Sequence, residues 1–119
     1  KYMYYGNGKY TETINFALAK AESVEEIEKH DWPDISWYDF ESILPIIKQF
    51  PNYPFMVGYF APGWFAWEVR GMAQFMIDCV ENKAIAHAIL NHICDFGYEY
   101  FKKCPEFITC GQWSKNGGS

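Results

Sequence analysis

The stretch PFMVGYFAPGWFAWEVRG, residues 54–71, decides the fold that this chain is expected to adopt. Its first part, Phe55 to Phe60, is a short and continuous apolar run, as in a β-strand covered on both faces. Pro62 and Gly63 then turn the chain into a helix. A covered strand needs neighbours, and sheets usually hold several strands. The pattern therefore predicts an α/β domain whose remaining strands lie outside this chain, in a barrel or a doubly wound sheet.

A short helix is predicted before this strand. Ser23 begins a capping box, because its hydroxyl can accept from the backbone N–H three residues on while Glu26 reaches back. The acidic residues of the first turn also suit the positive end of the helix dipole. The helix should stop near His30, because Trp32 precedes Pro33 and is pushed away from helical geometry.

Three further helices are predicted from apolar residues at spacings of three and four. The first spans about residues 37–50 and contains Pro45, so it starts late or kinks there. The second follows Gly63, and the third is capped by Asn82 and ended by Pro105. Their apolar stripes are Ile43, Ile46, Ile47 and Phe50; Phe65, Val69, Met72, Met76 and Cys79; and Ile85, Ile89, Ile93, Phe96 and Tyr100.

Composition excludes several functional classes. The 119 residues are 50% hydrophobic and 20% aromatic, which suits one folded domain with a modest core. The net charge of −5, with no basic cluster to offset it, argues against nucleic-acid binding. The uncharged stretch Gln49–Trp67 is interrupted by prolines and glycines, so we expect no membrane span. No C-x-x-C pair occurs, and we expect reduced cysteines in a cytoplasmic protein.

The two ends of the chain are typical of an internal segment. Lys1 stands where an initiator Met would be, and residues 115–119, KNGGS, have the composition of a flexible tail. Residues 2–20 show no lasting periodicity and are predicted to be loop or short irregular strand. Residues 107–110 could start another strand. We therefore expect residues 1–119 to form a single, incomplete domain.

Three blocks of sequence, in this order, resemble the uroporphyrinogen decarboxylase superfamily, and together they cover roughly residues 17–103. The blocks are AESVEEIEKHDWPD followed by WYD, residues 21–39; VGYF, WEVRGM and FMID, within residues 57–78; and residues 86–100. The resemblance implies a partial (β/α)8 TIM-barrel segment, mostly helical with one or two strands. A complete barrel takes about 250 residues, so we expect this middle portion to be inactive alone.

The superfamily contains two kinds of enzyme, lyases and transferases. Its decarboxylases remove acetate carboxyls from a tetrapyrrole without a cofactor, whereas related methyltransferases pass methyl groups from corrinoid proteins to thiols using zinc. The decarboxylases place a functional tyrosine two residues before the V-x-G of this helix. Here Val69-Arg70-Gly71 puts Trp67 at that position, and an indole N–H only donates. The resemblance thus implies a methyltransferase-like parent with a small-molecule substrate or a corrinoid protein as partner; a true decarboxylase is the alternative.

One motif matches the zinc ligands of those methyltransferases. His92-Ile93-Cys94 has their H-x-C spacing, but two steps along a helix rotate by about 200°, so the side chains point apart. We expect no metal ligand or cofactor site in this segment, and the resemblance implies a zinc motif beyond Ser119. Two cysteines six residues apart could pair or bind metal, although two unrelated thiols is the favoured interpretation: Cys104 and Cys110.

The loop after the predicted strand and the start of the helix that follows it hold the candidate substrate-binding residues. Barrel active sites are built from loops at the carboxyl ends of the strands. Aromatic side chains there could form one wall of a pocket for a flat or methoxylated ligand. The candidates are Tyr59, Phe60, Trp64, Trp67 and Arg70. The alternative is that the two tryptophans only pack against a neighbouring helix. No catalytic residue is assigned, since paired carboxylates, phosphate loops and nucleophile elbows do not occur.

A hypothesis from another functional class is a non-catalytic helical module that associates with itself. Exposed aromatic stripes would then bind a partner. An isolated slice of a barrel would also expose strand edges and apolar helix faces, which favours a homodimer or a domain swap.

Overall fold

The fold begins with a β-hairpin at the amino end of the chain. β1 (Tyr2–Tyr5) pairs antiparallel with β2 (Gly8–Thr11). The two-residue loop between them starts at Gly6, whose φ of 56° lies in the left-handed region that such hairpin loops require. The prediction of loop or short irregular strand over residues 2–20 is thus confirmed in part, although it missed the hairpin turn.

The rest of the fold is helical. The structure is a computed structural model that describes residues 1–55 and 60–104. Its helices are α1 (Val24–Glu28), α2 (Leu44–Gln49), α3 (Pro62–Arg70), α4 (Met72–Glu81) and α5 (Lys83–Lys103), with 3-10 turns at Ile35–Trp37 and Glu41–Ile43. The described residues are therefore mostly helical, with one small antiparallel sheet.

Most of the residues whose predicted strands support the barrel interpretation lie outside the described residues. Residues 56–59, the centre of the predicted strand from Phe55 to Phe60, lie outside the described residues. The same is true of the strand predicted at residues 107–110 and of the tail at 115–119. Within the described ranges the sheet has two strands, and they are antiparallel.

The capping box of α1 is confirmed, with one difference. The Ser23 hydroxyl accepts a hydrogen bond from the backbone N–H of Glu26 over 3.3 Å. The Glu26 carboxylate reaches back, but it accepts from the backbone N–H of Glu22 over 2.7 Å rather than from that of Ser23. Two backbone donors at the helix start are satisfied in this way, which stabilises a helix of only five residues.

α2 shows that the helix predicted over residues 37–50 starts late. Pro45 lies in its first turn, where a missing N–H costs nothing, so the regular helix begins at Leu44. Three of the four residues predicted to share one apolar face are exposed, namely Ile43, Ile46 and Phe50. A six-residue helix is too short to impose the burial pattern that its spacing suggests.

The predicted stripe across α3 and α4 is also wrong, because one residue breaks the helix. Gly71 has φ 87° and ψ 131°, a backbone conformation that side-chain-bearing residues rarely adopt, and it ends α3 and starts α4. Its α-carbon faces the Phe16 ring, which leaves little room for a β-carbon. The break changes the rotational phase, so that Met72 and Met76 are exposed and Phe75 is buried instead.

The chain divides into two compact units. The first comprises Lys1–Trp32 and Ala61–Cys94. The second comprises Pro33–Phe60 and the chain from Asp95 onward. α5 supplies the core of the first unit with the apolar stripe predicted from sequence, and the first three residues of that stripe are buried. The buried apolar residues of this unit are Leu18, Ile27, Ala66, Phe75, Ile85, Ala86, Ala88, Ile89 and Ile93.

Aromatic rings hold the second unit together. Tyr38 lies 5.6 Å from Phe96 between ring centroids, and Phe40 lies 5.3 Å from Tyr100. The Phe60 ring stands directly against the buried Gly97 of α5, where a β-carbon would overlap it. Glycine in the middle of a long helix usually weakens it, so this one is explained by the close approach of the ring.

Candidate functional site

The Arg70 guanidinium is a buried and hydrogen-bonded polar group of the first unit. Arg70 is the last residue of α3, and only 3% of it is exposed. Its Nε donates to Asp78 Oδ2 over 2.6 Å. Its Nη1 donates to the backbone carbonyl of Leu18 and, over 2.7 Å, to that of Ala21. The side chain therefore ties the segment before α1 to the junction of α3 and α4.

Asp78 completes this arrangement from the buried side of α4. Its second carboxylate oxygen, Oδ1, accepts from Gln74 Nε2 over 3.0 Å and from Asn82 Nδ2 over 3.2 Å. Burial alone would raise the pKa of Asp78, but hydrogen bonds from Arg70, Gln74 and Asn82 and the Arg70 charge outweigh it and lower the pKa. Asp78 is consequently ionised at neutral pH, and both of its oxygens are satisfied.

Sequence reasoning named Arg70 but missed its partner. The sequence made Arg70 a candidate substrate-binding residue, whereas the structure pairs it with the carboxylate of Asp78, eight residues along the chain. The available signal was a single acidic residue in the middle of an otherwise apolar stretch of α4. An ionised group in such a position is usually buried only with a partner.

A cleft of about 300 Å³ opens beside this ion pair in the first unit. Its walls are mainly polar and are formed by residues 19–22 together with Arg70, Gln74, Asn82 and Ile85. Lys20 and Glu22 stand at the exposed side of the cleft. The cleft thus combines a buried guanidinium with both signs of charge at its mouth, and none of the predicted aromatic residues lines it.

Two of the predicted aromatic residues do lie together. Trp64 and Trp67 on α3 have ring centroids 6.1 Å apart, and Trp64 is exposed. Phe60 belongs to the second unit, and Tyr59 lies outside the described residues. On the same helix, Glu68 accepts a hydrogen bond from the Thr13 hydroxyl over 3.0 Å. The two tryptophans are therefore the part of the predicted aromatic wall whose mutual geometry is defined.

His92 has partners other than a metal. Its ring stacks on Trp32, with centroids 4.7 Å apart and planes 9° from parallel, and its Nε2 lies 2.8 Å from Glu28 Oε2. Cys94, the other half of the H-x-C motif, is exposed on α5. Among the residues that the structure describes, no three His, Cys, Asp or Glu side chains lie close enough together to hold a metal ion.

Two further findings complete the description. In the described ranges, no helix combines the length and apolarity that crossing a bilayer requires. Comparison with protein-family models, with curated proteins and with solved structures finds no match to this chain.

Proposed function

We propose that this chain is part of a barrel enzyme of the uroporphyrinogen decarboxylase superfamily, closer to its methyltransferase-like members than to its decarboxylases. In this proposal the chain contributes an aromatic wall of the active site. The parent enzyme moves a methyl group from a small methoxylated or methylated molecule, or from a corrinoid protein, to an acceptor.

The observation that carries this proposal is the tryptophan pair on α3. The three sequence blocks place Trp67 where the decarboxylases have their functional tyrosine, and Trp64 stands one turn away at 6.1 Å between ring centroids. Two indole rings present flat apolar faces and a donor N–H, but no phenolic oxygen. Such a surface suits a methoxylated ring better than an acetate side chain that must lose carbon dioxide.

The described residues do not fit the zinc ion that methyl transfer in this superfamily uses. His92 is engaged by Trp32 and Glu28, and the described ranges contain no cluster of three ligand-type side chains. We therefore assign no step of the chemistry through zinc to these residues. Their role in the proposal is limited to contacting and orienting a substrate.

Isothermal titration calorimetry with uncharged 4-methoxybenzyl alcohol tests the aromatic wall. Replacing both Trp64 and Trp67 with alanine should weaken binding about thirtyfold, because two ring contacts worth on the order of 1 kcal/mol each are lost. Trp37→Ala is the matched control, since Trp37 is also exposed but belongs to the second unit.

Three results would count against the proposal or its details. Absence of binding by the unsubstituted chain would contradict the aromatic wall. An equal loss of binding affinity in the control variant would contradict it as well. Tighter binding of uroporphyrin than of the methoxylated alcohol would favour the decarboxylase alternative. Far-ultraviolet circular dichroism of each variant separates loss of binding from loss of folding.

A second candidate function is self-association through α4, and the outer face of that helix favours it. Met72, Met76, Ile77 and Val80 are all exposed, Val80 to 74%. The only charged residues of α4 are Asp78, which is buried in its ion pair, and Glu81. Because the chain carries a net charge of −5, two copies would meet with least repulsion at an uncharged face.

Sedimentation velocity tests this candidate. Met76→Lys combined with Val80→Lys should convert a dimer into a monomer, because each lysine would place a charge in an apolar interface. Tyr98→Lys, at an exposed apolar position on α5, should leave the dimer intact. A parent chain that sediments as a monomer up to about 100 μM would exclude this function at ordinary affinities.

A further inference from the structure

We infer that the cleft beside Arg70 is a binding site for a small monocarboxylate, a ligand class that nothing in the proposed methyl-transfer chemistry requires. The cleft lies entirely within the first unit. Binding of a ligand in this cleft therefore does not depend on whether the chain belongs to a barrel enzyme.

The first support is an unused pair of donors on Arg70. Nε and Nη1 are bound to Asp78, Leu18 and Ala21, but Nη2 has no hydrogen-bond partner among the described residues. No fully buried side-chain nitrogen or oxygen in that part of the chain lacks a partner, so Nη2 keeps contact with solvent. Arg70 is only 3% exposed and it lines the cleft, so we place the remaining solvent contact of Nη2 in the cleft.

The second support is that the guanidinium is held in place before any ligand arrives. Asp78 fixes Nε, and the Leu18 and Ala21 carbonyls fix Nη1, so the direction of Nη2 is set by three acceptors. A donor that is already oriented loses little side-chain entropy when it binds. Lys20, at the mouth of the same cleft, adds a second cation that can turn towards an anion.

The surrounding charges select a monoanion of modest size. Asp78 already offsets the Arg70 charge, and Glu22 adds a negative charge at the mouth, so a dianion such as phosphate is repelled more strongly than a carboxylate. Gln74 and Asn82 each donate an amide N–H to Asp78, and their side-chain carbonyl oxygens remain as acceptors. The volume of about 300 Å³ is at the small end of ligand sites.

The experiment is a nuclear magnetic resonance titration of the whole chain with sodium acetate, against sodium chloride at equal ionic strength. Arginine Nε–Hε and backbone amide signals are followed. We expect saturable shifts at Arg70 and at residues 20–22, with a dissociation constant on the order of millimolar. Sodium phosphate, added in a parallel series, should bind more weakly than acetate.

Substitutions of exposed residues give the titration a signed test. Lys20→Gln should weaken acetate binding about two- to fivefold, and Glu22→Gln should tighten it by a similar factor, as expected of exposed charges. Lys29→Gln is the matched control and should change nothing, because Lys29 is exposed but lies outside the cleft.

Several outcomes would overturn the inference. The carboxylate site is refuted if acetate produces no saturable shift at Arg70 and residues 20–22. Equal effects of the Lys20 and Lys29 substitutions on the dissociation constant would show that acetate responds to the general charge of the chain and not to this cleft. Tighter binding of phosphate than of acetate would contradict the assigned ligand class. Loss of 4-methoxybenzyl alcohol binding alone would count against the aromatic wall and leave this site standing.

Discussion

Replacing Asp78 with asparagine keeps the shape of the side chain and removes the negative charge from the Arg70 guanidinium. In the parent chain Nε of Arg70 and Oδ2 of Asp78 are 2.6 Å apart, and their side chains are 4% and 0% exposed. The asparagine amide group must also replace one carboxylate oxygen. Its N–H would then face either the Arg70 donor or the amide donors of Gln74 and Asn82.

The expected loss is about 3–5 kcal/mol of the free energy of unfolding, because an almost completely buried cation is left without its counter-charge. Small domains have about 5–15 kcal/mol in total, so this variant should be close to unfolding. Replacing both partners with apolar residues, Arg70→Met with Asp78→Leu, should recover much of the loss, since no buried charge then remains.

Urea denaturation followed by circular dichroism measures these changes. Glu99→Gln is the control, because it removes an ion pair of 3.1 Å with Lys102 that is exposed to solvent, and it should leave the midpoint unchanged. An Asp78→Asn chain within about 1 kcal/mol of the parent would refute the reasoning. A double variant no more stable than Asp78→Asn would show that lost packing and the loss of the Arg70 hydrogen bonds to the Leu18 and Ala21 carbonyls, rather than an unpaired charge, are responsible.

The same ion pair predicts a pH dependence. The pKa of Asp78 is lowered below its ordinary value of 3.8 in the folded chain, so the unfolded chain takes up the proton more readily than the folded one. Its stabilising contribution is therefore present above about pH 4 and is lost as the pH falls through the folded-state pKa. The stability difference between the parent and Asp78→Asn should shrink from pH 5 towards pH 2; a constant difference would contradict this.

Substitutions at Gly97, Gly71 and Ser23, with their controls, have defined outcomes by the same urea assay. Gly97→Ala should destabilise the chain by about 1–3 kcal/mol, because the new methyl group overlaps the Phe60 ring; a stabilised variant would contradict that contact. Gly71→Ala should cost about 1–3 kcal/mol because of its φ of 87°, whereas Gly63→Ala, with nothing within 4 Å, should cost nothing. Ser23→Ala should cost about 1 kcal/mol through the lost helix cap, and Ser23→Thr should restore most of it.

Features set by local chemistry were predictable from the sequence. The Ser23 cap depends on residues three apart, and the late start of α2 depends on Pro45 alone. The buried stripe of α5 follows from apolar spacing in one uninterrupted helix. In each case the cause lies within a few residues of its effect.

Features set by distant partners were not predictable. The stripe drawn from Phe65 to Cys79 runs through Gly71, and its spacing cannot reveal that a positive φ there resets the helix phase. Burial of Asp78 depends on Arg70, and the site of Arg70 depends on carbonyls about fifty residues earlier in the chain. Apolar periodicity contains no information about such pairings.

The attachment of Leu18 to the end of α3 has a consequence for the order in which the first unit folds. Leu18 donates its N–H to the Val69 carbonyl over 2.8 Å and accepts from Arg70 through its own carbonyl. These bonds close a loop of 52 residues, which requires a loss of chain entropy that the local helices α4 and α5 do not incur. The helices should therefore form early and the amino-terminal segment should dock late, so that disrupting this attachment accelerates unfolding far more than it slows folding.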